Sequence, residues 1–231
     1  MKFFSIDSPF YRFMQRLWDI LKLNLMWLLF SLPVLTLGGS TIAAFSVTLK
    51  MTEEREGDVV KDFIKGFKGN WKQGIPMSIL MIMCPLAVWY DFQLYNNIEE
   101  NSLPFLMVGL FAAYIFSLSL VYAFALLARY ENSVLNCLIN SFRLSMKYFG
   151  RTLILAAVLV LEFVIWFWNS TTLFVGFLIG PACVIFTISG TAMYIFREME
   201  KIPGTTRGTN PETEHIGEGS IGGDDESEES E

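Results

Sequence analysis

The chain has 231 residues, of which 53% are hydrophobic, 15% aromatic and only 17% charged, with a net charge of −6. Soluble domains carry about 25% charged residues, and a water-soluble chain of this length would have to cover four uncharged apolar runs of lipid-crossing length, so a soluble globule is excluded. The lack of a G-X-Y period, the three cysteines and the negative balance also exclude collagen-like, disulfide-framework and nucleic-acid-binding classes.

The first predicted element is an amphipathic helix opening at Ser8 and Pro9, with Ser as the cap and Pro in the first turn. Phe10, Phe13, Met14 and Leu17 share its apolar face. Its basic stretch is too long for a signal peptide, and no small-x-small cleavage site follows. Residues 23–37 are apolar, Gly38, Gly39 and Ser40 interrupt, and 41–49 are apolar again. This stretch is one long span or a hairpin of two short ones. Its second arm, 38–49, is only about 18 Å long as a helix. It therefore reads as a short crossing or as a re-entrant half-helix buried in protein.

A second amphipathic helix is predicted over 58–72, with Val59, Val60, Phe63, Ile64, Phe67 and Trp71 on one side and Lys61, Lys65, Lys68 and Lys72 on the other. Crossings follow at 75–95 and 103–128, each at least the roughly 20 residues a bilayer requires. A third amphipathic helix is predicted at 134–149, its stripe made of Leu135, Leu138, Ile139, Phe142, Met146 and Phe149. Such helices lie at the membrane interface or pack on the protein's own spans. The last crossings are 152–168 and 172–196. Residues 63–68 and 138–143 echo one another, by internal duplication or by chance likeness of two amphipathic helices.

Charge placement sets the topology. Residues 202–231 hold nine acids and one base, Arg207, so this segment is −8 and residues 1–201 are +2. All 17 Lys and Arg residues fall in four segments, namely the N-terminus, 50–74, 129–151 and the C-terminus, and the remaining connections hold none. Cytoplasmic loops are enriched in Lys and Arg. The four segments share one side only if 23–49 goes out and returns. The expected fold is thus an all-α polytopic bundle of about six crossings, the first two a short hairpin or re-entrant pair, with amphipathic cytoplasmic helices and both termini cytoplasmic. Residues 1–201 form the membrane domain, and 202–231 a disordered, solvated acidic tail with docking or regulation as its alternative.

Chemistry is sparse. The one histidine, His215, lies in the tail, the cysteines Cys84, Cys137 and Cys183 are scattered, and the Gly66–Gly74 stretch lacks the G-K-[ST] ending of a P-loop. No catalytic, cofactor or metal site is expected, and the chain reads as non-enzymatic. Glu162, in the middle of a crossing, is the main candidate, because charge is costly in lipid. It is a proton or cation relay or a solute ligand, or else a packing residue bonded to Asn24 or to a Ser or Thr of another span. Gly39/Ala43, Ser40/Ala44 and Gly176/Gly180 have the spacing of close helix contacts, and Pro33, Pro85 and Pro181 should each kink a crossing.

Two motifs carry a resemblance. Asn24-Leu25-Met26-Trp27, followed by Ser31-Leu32-Pro33-Val34-Leu35-Thr36-Leu37-Gly38-Gly39-Ser40-Thr41-Ile42-Ala43, resembles the N-terminal signature of the YesL-like family. Asp62-Phe63-Ile64-Lys65-Gly66-Phe67-Lys68-Gly69-Asn70-Trp71 resembles its second block. The motif positions are Ser31, Pro33, Thr36, Gly38, Ser40, Phe63, Phe67, Lys68 and Asn70. The resemblance covers roughly residues 1–200 and implies a small multi-pass protein of a bacterial plasma membrane, chiefly of Gram-positive species. The family's biochemistry is unassigned, and its genes often stand beside carbohydrate ABC-transporter and polysaccharide-degradation genes. It implies no catalytic residue, and the acidic tail departs from its pattern. The expected function is an accessory or regulatory role in carbohydrate uptake, with the bilayer and a carbohydrate ABC transporter as partners. The alternative is a small permease or channel-like transporter with Glu162 in its pathway.

Overall fold

The computed structural model describes residues 9–54, 57–97, 103–130 and 132–200. The acidic tail lies outside the described residues. Those described fold into helices α1 (Pro9–Ser31), α2 (Leu37–Thr52), α3 (Val59–Asn97), α4 (Leu103–Arg129), α5 (Val134–Lys147), α6 (Phe149–Phe167) and α7 (Ser170–Glu200), with a 3-10 turn at Val34–Thr36 between the first two. No strand occurs among them, and five helical stretches are long and apolar enough to cross a membrane: Val34–Thr52, Val59–Asn97, Leu106–Arg129, Phe149–Phe167 and Ser170–Glu200. Helix α1 is not one of the five, its run being broken by Arg12, Arg16, Asp19 and Lys22.

Two boundaries differ from the sequence expectation. The predicted helix at 58–72 and the crossing at 75–95 are one continuous helix, α3, which runs through Pro76 and Pro85. Pro33 does not kink a span. It follows the end of α1 and leads into the 3-10 turn, where the Thr36 hydroxyl lies 2.6 Å from the Phe30 carbonyl and 2.7 Å from that of Pro33. A ring with fixed φ and no donor is suited to this corner.

Helix α2 is the centre of the body, with residues 38–45 and 47–49 buried. Small residues make this closeness possible. A Cβ on Gly38 would strike the Gly74 carbonyl oxygen, and a Cβ on Gly74 would fall 2.5 Å from Gly39 Cα, so α2 and α3 touch backbone to backbone. The Phe30 ring edge-packs on Phe63 and Phe67 at 5.4 and 4.9 Å, closing α1 over the same hairpin. Of the apolar stripe of the first half of α3, Val59 and Phe63 are therefore buried in the protein itself and Phe67 packs beside them, while Trp71 is exposed.

The hairpin lies across α4, not along it. Glu53, at the end of α2, accepts from Arg129 Nη1 at 2.7 Å. Gln73, beside Gly74 at the opposite end of the hairpin, donates to the Asn132 carbonyl at 3.2 Å. The 16-residue α2 is about 24 Å long at 1.5 Å per residue, yet Glu53 at its end and Gln73 of α3, beside its start, both reach the 129–132 corner. Between them Phe45 stacks on Phe124, 6.0 Å between centroids. An α2 parallel to α4 could not satisfy these contacts together.

Helix α5 returns antiparallel beside α4, and its buried face is Cys137, Ser141, Leu144 and Ser145. Ser141 Oγ accepts from the Tyr122 N–H at 3.2 Å. Of the predicted stripe, Leu135, Ile139, Met146 and Phe149 are exposed and Leu138 packs against the core. Helices α6 and α7 pack through Trp166, whose ring lies against Gly176 and Gly180, so the Gly-x-x-x-Gly spacing receives an indole and not a helix backbone.

Candidate functional site

The two motif blocks meet in one interface. The Ser78 hydroxyl accepts from the Gly38 N–H at 2.6 Å and lies 2.8 Å from the Leu35 carbonyl and 3.0 Å from that of Gly74. It satisfies a helix N-terminal donor that otherwise has no partner. Ser31 and Ser40 share a hydroxyl bond at 2.6 Å, and Trp27 Nε1 donates to Thr41 Oγ1 at 3.1 Å. Asn70 turns back onto the Gly66 carbonyl at 3.0 Å, whereas Lys68 is exposed. The motif residues Ser31, Pro33, Thr36, Gly38, Ser40, Phe63 and Phe67 thus build a turn and a close-packed hairpin. Ser78 was missed in the sequence; its one signal is its place four residues after Gly74, a small-residue spacing.

Asn24 does not meet Glu162. Its carboxamide repairs the break that Pro181 makes in α7. Pro181 has no N–H for the Phe177 carbonyl, and Asn24 Nδ2 donates there at 3.1 Å and to the Leu178 carbonyl at 2.7 Å. Asn24 Oδ1 accepts from the Ala182 N–H at 3.2 Å. Both polar atoms of one buried side chain stand in for the interrupted α7 ladder. Unsatisfied backbone is costly in lipid, and neighbouring side chains are the usual remedy at a proline.

Glu162, on α6, pairs with a threonine of another span. Its Oε1 accepts from Thr187 Oγ1 at 2.7 Å, while Oε2 is buried without a hydrogen-bond partner among the described residues. Cys183 lies one turn away on the same α7 face. A carboxylate oxygen enclosed among apolar helices with an acceptor to spare is the one chemically open position in the described body. It suits a proton, a small cation or a hydroxyl donor. Among the described residues no three His, Cys, Asp or Glu side chains converge as metal ligands.

A third cluster gathers at the end of the bundle where the basic segments lie. Arg129 Nη1 bonds Glu53 and Nη2 bonds Glu200 at 2.9 Å, and its guanidinium stands 5.8 Å from the Phe196 ring. Tyr130 donates to the same Glu200 carboxylate at 3.3 Å. Burial pushes the Tyr130 phenol above its ordinary value; Arg129 opposes the shift and Glu200 adds to it. Arg151 bonds Glu198 at 2.7 Å and lies 3.9 Å over the Tyr194 ring, Lys50 bonds Asp62 at 2.8 Å, and Arg16 reaches Glu54 at 3.4 Å. These contacts bring Arg16, Lys50, Arg129 and Arg151, bases of three of the segments, to one end, with Glu198 and Glu200 of the fourth among their partners. The acids that hold them carry no pattern by which the sequence could have singled them out.

Helices of crossing length, a proline break repaired by an asparagine, and a buried carboxyl group describe a polytopic helical membrane protein. Over residues 20–92 the chain matches the family model described as "Protein of unknown function, DUF624", the family also known as YesL-like. The match is about a third of the chain and covers the hairpin in which both motif blocks meet. No curated protein and no solved structure matches the chain.

Proposed function

We propose that the chain is a non-enzymatic accessory protein of a bacterial plasma membrane, which presents the α2–α3 hairpin and α5 on the cytoplasmic side to a carbohydrate-uptake transporter. The observation that carries this reading is the use of both motif blocks. They form a close-packed scaffold beside the end of α4, and among the described residues the side chains of Ser31, Thr36, Ser40, Phe63 and Phe67 are engaged in bonds and packing within the protein. The second half of α3, with α4, α6 and α7, crosses the bilayer, while α2 lies beside the first half of α3 on the side from which α3 enters. Both termini are then cytoplasmic, and every basic segment faces the same compartment. Lys61, Lys65, Lys68 and Lys72 support this placement, because all four are exposed on α3 and would otherwise face hydrocarbon. The carbohydrate link comes from the family resemblance. Co-purification from native membranes in mild detergent tests the role: a stoichiometric transporter partner supports it, and recovery of the chain without one refutes it. Growth of a deletion strain on a panel of sugars identifies the uptake system concerned.

The orphaned Glu162 oxygen supports a second reading, a small permease in which this carboxyl group handles a proton or binds a solute. Solute flux by the purified chain alone in liposomes, lost in Glu162→Gln, would establish it over the accessory role.

A further inference from the structure

The first half of α3 has a face that the hairpin does not use. Lys61, Lys65, Lys68 and Lys72 are spaced by four, three and four residues, which places them within a narrow arc of the helix, and all four are exposed. Lys61 lies 3.7 Å from Asp58, while Lys68 and Lys72 form no ion pair among the described residues. Gly69, on the margin of this face, has open space where a Cβ would stand. The stripe extends about 16 Å along the helix.

Its Lys72 end is linked through the α4–α5 corner to the point from which the chain continues past α7. Glu200 is tied to Arg129 and Tyr130. The next residues of the α4–α5 corner reach Gln73, adjacent to Lys72, through the Asn132 carbonyl. Beyond Glu200 the sequence carries Glu212, Glu214, Glu218, Asp224, Asp225, Glu226, Glu228, Glu229 and Glu231 against one base after residue 201, Arg207.

We propose that the acidic segment 212–231 docks on the lysine face of α3 in its own chain. This inference rests on the reading that the first half of α3 lies outside the bilayer. Charge and distance both favour it. A flexible chain of 12 residues, the number that separates Glu200 from Glu212, has a root-mean-square reach of roughly 17–21 Å, about the length of the stripe. Tethering on that scale supplies an effective concentration near the millimolar range, well above that of an untethered ligand. An anionic inner leaflet repels a strongly acidic segment, and the exposed lysines offer that segment a counter-charge away from the headgroups. The segment acts as a tethered counter-charge, and any other anionic ligand of this face has to displace it.

The test uses the full chain in nanodiscs of phosphatidylcholine, which offers no anionic headgroup. A charge-neutralised variant carries Asp→Asn and Glu→Gln at the nine tail positions. Water-soluble N-hydroxysulfosuccinimide acetate reports lysine access, and a carbodiimide joins carboxylates to adjacent lysines as amides. The expected result is carbodiimide links from 212–231 to Lys61, Lys68 or Lys72, and acetylation of these lysines slowed about threefold or more relative to the variant at about 50 mM NaCl, the difference vanishing near 500 mM as screening shortens. Equal acetylation rates in the two proteins, or links confined to lysines elsewhere, overturn the docking and leave the topology intact. Lysines that resist acetylation in both proteins at high salt overturn the topology and the docking together. Protection that depends on added phosphatidylglycerol and persists in the variant assigns the face to lipid and overturns the docking.

Discussion

Replacing Asn24 by Leu is the sharpest probe of how α1 is held. The substitution removes the donors to the Phe177 and Leu178 carbonyls and the acceptor for the Ala182 N–H. Two of these groups can recover, since Ala182 N and the Leu178 carbonyl are an ordinary i, i−4 pair. The Phe177 carbonyl cannot, because its natural donor would be residue 181, a proline. One buried acceptor is left without a partner, a loss of about 1–3 kcal/mol. Interhelical hydrogen bonds in membrane proteins average about 0.6 kcal/mol, so the lower part of that range is expected. The cycle with Pro181→Ala separates this cause from loose packing. Alanine in place of the proline restores an N–H for the Phe177 carbonyl, so the double variant should be more stable than Asn24→Leu alone. Pro181→Ala alone should destabilise, since Asn24 then competes with a complete helix and is itself left short of partners. Unfolding in mixed micelles, followed by fluorescence of the six tryptophans, gives the four free energies. Additive single effects within about 0.3–0.5 kcal/mol would refute the repair mechanism.

Three further outcomes are expected. Gly38→Ala or Gly74→Ala drives a methyl group into the facing backbone and should cost about 1–3 kcal/mol or more, whereas Gly69→Ala meets open space and should stabilise by up to about 1 kcal/mol through helix propensity; the three midpoints in one detergent test the contrast. Glu162→Leu removes the unpartnered Oε2 and should leave thermal stability equal or raised by about 1 kcal/mol, while Glu162→Gln should abolish flux or growth only under the permease reading; a marked fall in midpoint for Glu162→Leu would show that the carboxyl group is structural. Cys137 is buried on α5, and burial pushes its thiol from 9.0 up to about 11. The neutral thiol is the form the fold accepts, so its contribution is complete below pH 9.0 and is lost as the pH rises through about 11; in a variant with the half-buried Cys84 and Cys183 replaced by Ala, maleimide labelling of Cys137 at about pH 8 should require unfolding, and its rapid labelling in the folded protein would contradict the burial.

Much of the body was legible because lipid imposes local rules. A run such as 103–128 must be helical wherever it packs, and the structure places α4 there. The spacing of Phe63 and Phe67 foretold a helix, and the four lysines foretold its exposed side. The junction at 73–75 was not legible, because nothing local distinguishes a corner from a helix that runs on through Pro76. The stripe of α5 was legible as a stripe, but not whether it would pack on the protein or face the membrane interface; the face that packs on α4 is the small and polar one built from Cys137, Ser141 and Ser145. Periodicity reports that two faces differ; it does not report which of them finds a partner.

The roles of Asn24 and Glu162 show the same limit at single residues. Both were visible as polar groups in apolar surroundings, and of the partners offered for Glu162 the structure selects a threonine, not Asn24. Asn24 bonds α7 across 153 to 158 positions of sequence, and Glu162 bonds Thr187 across 25. Hydropathy and the count of basic residues add up residue by residue, so the sequence by itself determined the solvent, the helical class and the clustering of charge. A proline break, a backbone contact between two glycines and a hairpin turned across α4 depend on which atoms arrive within about 3 Å of one another. Only the tertiary structure decides that, because each such contact is set by the packing of several helices at once.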